Sequence, residues 1–433
     1  PTLWSREWNS GIFRHCLDTA IRNPQKFIFM SATNPLWASA VLLTGRLVDR
    51  MDKPTVQDIF HRFYPVYLDR YSPSAVQAKV AHNIMNCKTG AYGANISVCE
   101  DCGAVRIHYN SCRNRCCPMC QAVPKEMWMD ARREDVLDAP YFHLVFTVPD
   151  VLNPVIYCNQ QLLYDTLYHA ASAAISELAA DSRHLGAKVG YICILHTWGS
   201  EMNFHPHIHT ILLGGGLTTD NRWKDNGSNF FLPIRVISKV FRGKYLEELK
   251  KLWKDNKLVF YGTAEKYRNH YVFKELVDSC YSMGWIPHCK KTFNGAQSVI
   301  DYLGKYTHRI AVSNHRILRM DENTVTFSVK DYRNEGKWKE LTLSGVEFIR
   351  RFLMHVPPKR FVRIRHYGLL CSRTKNQNLT LCRNLLGCRK YLSELRGREM
   401  PEILEHLYGI RVCVCKACGG RLGKPQLRMP LRC

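Results

Sequence analysis

The 19 cysteines of this 433-residue chain constrain it more than any other feature, because they are clustered. Cys87, Cys99, Cys102, Cys112, Cys116, Cys117 and Cys120 fall within 34 residues, and Cys413, Cys415 and Cys418 within six. A disulfide framework does not crowd thiols into Cys-x2-Cys pairs, and an odd total cannot pair completely. The compartment therefore reads as reducing, hence cytoplasmic. Cys99-x2-Cys102 and Cys117-x2-Cys120, 14 residues apart, have the spacing by which four thiolates grip one tetrahedral Zn²⁺ as a zinc ribbon. That zinc is expected to be structural, since an all-protein ligand set leaves no open position. His82 and Cys87 before the first pair, with Cys112 and Cys116 between the pairs, permit a second, cross-braced site. Cys415-x2-Cys418 reads either as a ligand pair completed by Cys413 or a distant cysteine, or as free thiols.

Charge narrows the partner. Lys and Arg number 61 against 37 Asp and Glu, a net charge of +24. From Arg351 to Cys433 there are 18 Lys and Arg against 4 Glu, a local +14. Such an excess is an electrostatic footprint for nucleic acid. Lys359, Arg360, Arg363 and Arg365 lie close together in this stretch and are expected to meet phosphate. No membrane partner is expected, because the longest early apolar run, Pro35 to Leu43, is too short to span a bilayer.

The pattern divides the chain into a 1–50 extension of unclear role, a zinc-binding domain (51–125), a catalytic domain (126–350) and a basic, nucleic-acid-binding C-terminal region (351–433). The extension lacks an amphipathic period, whereas Val56, Ile59, Phe60, Phe63 and Tyr67 recur at helical spacing. Tyr141 to Pro149, Val189 to Trp198 and Ile208 to Leu213 read as strands. Residues 125–137, 155–180, 244–256 and 295–310 read as helices, and 324–330 with 338–343 as a hairpin. Gly214-Gly-Gly216 reads as a strand-ending turn. The fold class is α+β.

His205-Pro-His-Ile-His209 and a tyrosine pair carry the chemistry. On a strand His207 and His209 share one face while Ile208 enters the core. Two imidazoles leave positions of a divalent cation open for other ligands. Glu201 and Gln297 are the candidates for a third ligand, hard oxygens suited to Mg²⁺; His196 or His205 in that place tilts the site towards softer metals. Tyr302 and Tyr306, four apart, share one face of a helix beside Lys305 and Arg309. A tyrosine that attacks a phosphodiester stores the bond energy in a covalent link, provided that a neighbouring cation offsets its high pKa.

These stretches together resemble the transposases of the insertion sequence ninety-one family, in the HUH endonuclease superfamily. The resemblance runs from Met51 to about Gly420. It is carried by Cys99-Glu-Asp-Cys102, His108-Tyr-Asn-Ser-Cys-Arg-Asn-Arg115, Cys117-Pro-Met-Cys-Gln121, Phe142-His-Leu-Val-Phe-Thr-Val-Pro149, His196-Thr-Trp-Gly199, His205-Pro-His-Ile-His209, Gly214-Gly-Gly-Leu217, Tyr302-Leu-Gly-Lys-Tyr-Thr-His-Arg309 and Arg363-Ile-Arg-His-Tyr-Gly368. Cys116 departs from it, standing where such proteins commonly carry His. The resemblance implies an HUH-type antiparallel sheet with flanking helices, preceded by a zinc-ribbon-like domain and followed by a basic tail. It implies single-strand DNA cleavage and rejoining in rolling-circle-like transposition, in a bacterial nucleoid. Tyr302 and Tyr306 would be nucleophiles forming 5′-phosphotyrosine links, and His207 and His209 would hold Mg²⁺ or Mn²⁺.

Two rival readings remain. A rolling-circle replication initiator or relaxase shares the histidines and the tyrosine, but usually lacks the cysteine block. A zinc-dependent DNA-binding protein without nuclease activity shares the thiols and the charge, but forms no covalent adduct.

Overall fold

The computed structural model describes residues 53–433 apart from 226–229, 231, 286–287, 294–297, 300–301, 303, 305–310, 332–334 and 429–433. The 1–50 extension, Gln297, Lys305, Tyr306 and Arg309 lie outside the described residues.

Helix α1 (Val56–Leu68) starts where Thr55 and Asp58 cap each other reciprocally, and it buries Val56, Ile59, Phe60, Phe63 and Tyr67. α2 (Ala75–Met85) carries an equivalent box from Ser74 and Gln77. A hairpin of β1 (Ala94–Val98) and β2 (Val105–Tyr109) follows, then α3 (Ala122–Arg133). β3 (Tyr141–Thr147), α4 (Asn153–Cys158), α5 (Gln160–Ala180), β4 (Lys188–Trp198), β5 (Phe204–Leu217) and β6 (Trp223–Asp225) come next. They are followed by α6 (Ile234–Lys254), α7 (His270–Ser282), β7 (His288–Phe293), β8 (Ile317–Met320), β9 (Thr324–Asp331), β10 (Lys337–Ser344) and α8 (Gly345–Met354). β11 (Ile364–Gly368), α9 (Lys375–Leu386), α10 (Met400–Tyr408) and β12 (Gln426–Arg428) complete the order. The expected elements at 56–67, 125–137, 141–149, 155–180, 189–198 and 208–213 and the hairpin thus appear with shifted ends; the helix at 244–256 begins earlier, at Ile234.

The central sheet is antiparallel, ordered β11-β4-β5-β3-β7, with β6 added to the end of β5. Its strands present alternate residues to two faces, with register shifts near Tyr141, Val189 and His196. Phe142, Leu144, Phe146, Tyr191, Cys193, Leu195, Ile208 and Leu212 pack with α5 and α6 in the largest core cluster. Tyr141, Ile192, Ile194, Ile211 and Leu213 face the other way, onto Met129 of α3 and Leu379 and Cys382 of α9. Ile208 is fully buried on the first face, so the odd-numbered histidines of β5 belong to the second.

Gly214-Gly-Gly216 is not a turn but part of β5. A Cβ on Gly215 would overlap the Trp223 ring, and one on Gly216 the Lys188 carbonyl; the glycines let neighbouring strands come close.

Residues 351–433 reach two sheets. β11 pairs with β4, α9 covers the second face of the sheet, and β12 pairs with β1. α1 and α2 share a core with β8, β9 and α8, so residues 56–85 join segments 230 or more residues away.

Candidate active site

The register of the central sheet builds the site. His207 lies opposite Thr147 on one side and His196 on the other; His209 lies opposite Val145 and Ile194. His143, one pair further along β3, faces Ile211. His143, His196, His207 and His209 therefore stand on one face of three adjacent strands. Ser298, Val299, Tyr302 and Gly304 are helical, and Val299 and Tyr302 pack on that face. A Cβ on Gly304 would overlap the Met129 thioether, so glycine allows this helical turn its close approach to α3.

The Tyr302 hydroxyl is 2.6 Å from His143 Nε2 and 2.8 Å from His209 Nδ1, and these two nitrogens are 2.9 Å apart. His207 Nε2 and His209 Nε2 are 3.0 Å apart. His207 Nδ1 lies 2.6 Å from the His205 carbonyl, which only accepts; the proton sits on Nδ1 and leaves the Nε2 lone pair facing His209. His196, His207 and His209 each bring a nitrogen into a space where all three lie within 4.8 Å of one another. Two imidazole nitrogens ligating one ion at about 2.1 Å and a right angle stand about 3.0 Å apart, which is the separation found.

Burial keeps the His207 and His209 imidazoles neutral. It pushes His207 down to about 3, with His205 adding a smaller push, and holds His209 well below the usual histidine range. Neutral imidazole is the form that binds metal. Three such donors fit Mn²⁺ better than Mg²⁺, which prefers oxygen. Trp198 stacks on His196 at 4.7 Å, a packing role rather than a base platform.

Of the two leading third-ligand candidates, Glu201 lies outside the donor set and Gln297 lies outside the described residues. Glu201 pairs with Lys339 at 3.3 Å in a turn beyond β4. His196 brings a third nitrogen beside His207 and His209 because β4 and β5 are paired directly there. His205, nearer the start of β5, contacts Asp150 at 3.3 Å and stays outside the donor set. His143 was missed. Its signal was a lone imidazole in phase with Tyr141 and Val145, opposite in parity to the apolar Phe142, Leu144 and Phe146.

The thiols are regrouped. Cys117 and Cys120 meet Cys87 and Cys112, with Cys112 and Cys120 sulfurs 3.8 Å apart. Cys99 and Cys102 meet Cys415 and Cys418 instead. The single ribbon expected from Cys99, Cys102, Cys117 and Cys120 is thus split, because β12 brings the tail to β1. His82 and Cys116 join neither set. His82 Nδ1 contacts the Asn86 amide, and buried Cys116 lies beside Arg115 and Arg363, its thiol raised by burial.

Two of the four expected phosphate-binding tail residues are half-buried. Arg363 lies over the Trp198 ring at 5.9 Å and beside Cys116, while Arg365 pairs with Asp165 and covers the Tyr168 ring at 4.1 Å. Arg365 lies on β11 and Arg363 directly before it, where its carbonyl accepts from the Leu195 N–H, so the sheet edge sets both against aromatic rings. Lys359 and Arg360 are exposed.

Comparison with known proteins finds transposases. Residues 190–378 match the family model Y2_Tnp, described as "Putative transposase", and residues 59–148 match a model described as "Transposase zinc-binding domain". The chain is 40% identical over 369 residues to "Putative transposase y4qJ" of Sinorhizobium fredii, covering 84% of this chain and 93% of that protein. It is 28% identical over 308 residues to "Transposase for insertion sequence element IS801" of Pseudomonas savastanoi pv. phaseolicola, covering 70% and 72%. No solved structure matches. The second model contains Cys87, Cys112, Cys117 and Cys120, and also His143, which the fold delivers to the other site.

Proposed function

Because the chain belongs to the insertion sequence ninety-one family of transposases, we propose that it cuts and rejoins single-stranded DNA through phosphotyrosine intermediates, on an HUH-type sheet and in rolling-circle-like transposition. One observation carries the reading: the Tyr302 hydroxyl is bonded to His143 and His209 beside a three-imidazole donor set.

In the proposed step the Tyr302 phenolic oxygen attacks the scissile phosphorus. A tyrosyl O–P bond forms to the 5′ phosphate, and the P–O3′ bond breaks. The phenol proton passes to His143 Nε2, and the departing 3′ oxygen takes a proton from water to become a 3′-hydroxyl. His209 Nδ1–H donates to the phenolic oxygen and lowers the cost of its negative charge. Attack of a 3′-hydroxyl on the phosphotyrosine reverses the step and rejoins the strand. Tyr306 serves as the second nucleophile, which lets one strand stay attached while another is cut. His196, His207 and His209 would hold Mn²⁺ or Mg²⁺, which supplies Lewis-acid polarisation of the scissile phosphate. Lys305, Arg309, Lys359 and Arg360 are assigned to the DNA backbone. The first fifty residues stand outside this machine, and a chain starting at Met51 is expected to keep cleavage.

The test is a covalent adduct. Protein incubated with single-stranded DNA and Mn²⁺ should give a species that resists denaturant, and Tyr302→Phe/Tyr306→Phe should give none. Wild type that binds DNA but forms no adduct would establish the binding-only reading instead.

A further inference from the structure

The Cys99, Cys102, Cys415 and Cys418 cluster lies at the meeting of two chain segments more than three hundred residues apart. The Cys99 and Cys418 sulfurs are 3.5 Å apart and those of Cys102 and Cys415 3.8 Å. All four lie within 4.8 Å of one another. Disulfide sulfurs stand about 2.05 Å apart. Four thiolates around one zinc at about 2.3 Å stand about 3.8 Å apart along the tetrahedron's edges.

The two segments are the same device used twice. Cys99-Glu-Asp-Cys102-Gly103 and Cys415-Lys-Ala-Cys418-Gly419 both read Cys-x2-Cys-Gly. The Cys99 N–H donates to the Ala104 carbonyl at 2.9 Å, and the Gly103 N–H donates back to the Cys99 carbonyl at 3.1 Å. The Cys415 N–H donates to Gly420 at 2.8 Å, and the Gly419 N–H donates back to Cys415 at 3.0 Å. Gly103 and Gly419 both turn with left-handed backbone, at φ 71° and 77°. In the tail, the Ala417 and Gly420 N–H groups also point at the Cys415 and Cys418 sulfurs, each at 3.4 Å.

Little else holds the tail. β12 pairs with β1 over three residues, and Glu100 N–H to Arg421 O (3.0 Å) and Gly423 N–H to Val98 O (2.9 Å) extend the pairing. The local core consists of Cys99, Cys415 and Leu422 with Ala104 against them, so two of its three buried members are cysteines. So small an apolar cluster does not offset the entropy of ordering a segment from Cys413 to Arg428.

We propose that Cys99, Cys102, Cys415 and Cys418 hold a second structural zinc ion, distinct from the one at Cys87, Cys112, Cys117 and Cys120, and that this ion docks the C-terminal segment on the β1–β2 hairpin. Binding releases the thiol protons and involves no redox change. The docked segment carries exposed Lys416, Arg421 and Lys424, and β12 joins it to the small sheet that holds Arg106, so the zinc also gathers basic residues from two segments about three hundred residues apart. The proposal stands apart from strand cleavage, since its tests read metal and thiols.

Two measurements on the full chain test it. In wild type, N-ethylmaleimide should label exposed Cys413 at least about tenfold faster than Cys102 and Cys418, which are also exposed, and zinc removal should abolish that difference. Equal labelling of the three in zinc-loaded protein would overturn the proposal. Second, Cys415→Ser/Cys418→Ser should carry one zinc fewer per chain than wild type by elemental analysis, whereas Cys413→Ser carries the same number. In the double variant, amides of residues 94–98 and 413–427 should exchange at least about a hundredfold faster, with β4 and β5 unchanged. An unchanged zinc count, or a tail that stays protected without that zinc, would equally overturn it.

Discussion

The histidines around Tyr302 ride on strands of seven, eleven and fourteen residues that hold the largest core, whereas the clustered cysteines sit in turns and loops beside strands of five residues or fewer. The histidine donors are placed by strand register and by side chains buried on both faces of the sheet. The Cys99 cluster has almost no core of its own, and the Cys87 cluster borrows one from α1, α2 and α8. In the first region the protein organises the ligand site; in the second the ligand organises the protein. Function follows the same division, because a site preformed by packing keeps positions free for substrate, and a closed thiolate set does not.

Metal removal should show the largest difference. Structural zinc sites of this kind carry apparent binding energies of about 10–16 kcal/mol at neutral pH. Exhaustive chelation should therefore raise amide exchange through residues 94–120 by at least about 10³-fold, while β4 and β5 change by less than about threefold. Equal loss in both regions, read by exchange mass spectrometry, would break the comparison.

Next in size is Tyr302→Phe, which removes a nucleophile from a rigid site. Adduct formation at residue 302 should disappear and initial cleavage should fall by at least about 10³-fold. Stability should move by no more than about 1 kcal/mol, because His143 and His209 still contact each other at 2.9 Å. A large drop in the unfolding midpoint would mean that the tyrosine is part of the scaffold.

The third test concerns the ligand set. His196→Ala should weaken Mn²⁺ binding by at least about tenfold in calorimetry, and Glu201→Ala by less than about threefold. The reverse order would return the third position to the carboxylate.

The smallest effect is on pH dependence. His355 is buried, bonded to Thr197 and to the Met202 carbonyl, and pushed down to about 4 by that burial. The unfolded state, with a pKa near 6.5, binds the proton first, so stability is full above about 6.5 and is lost as pH falls towards 4. Between pH 6.5 and 5 this one group should cost about 2 kcal/mol. His366, at about 4, acts in the same direction. Urea unfolding at the two pH values should show the loss, and His355→Gln should flatten it.

Particular residues show how far the sequence was legible. The run from Tyr141 to Thr147 and the helical spacing of Val56, Ile59, Phe60 and Phe63 announced their elements, because a buried face imposes its period on neighbouring residues. The pairing of His207 with His209 was legible for the same reason. Charge density gave no sign that Arg363 and Arg365 would be half-buried against aromatic rings, because that depends on the strand pairing beside them.

What the sequence determined by itself was local: the Cys-x2-Cys knuckles, the two-residue repeat that put His207 and His209 together, and the chemistry these groups share. Tertiary structure decided the company each group keeps. His143 and His196 reach Tyr302 and His209 only through the register of three strands, and Cys99 and Cys102 meet Cys415 and Cys418 only because β12 returns to β1. The reason is range. Spacing along the chain fixes geometry within a turn or a strand, whereas a contact between residues 313 apart depends on how every element between them packs.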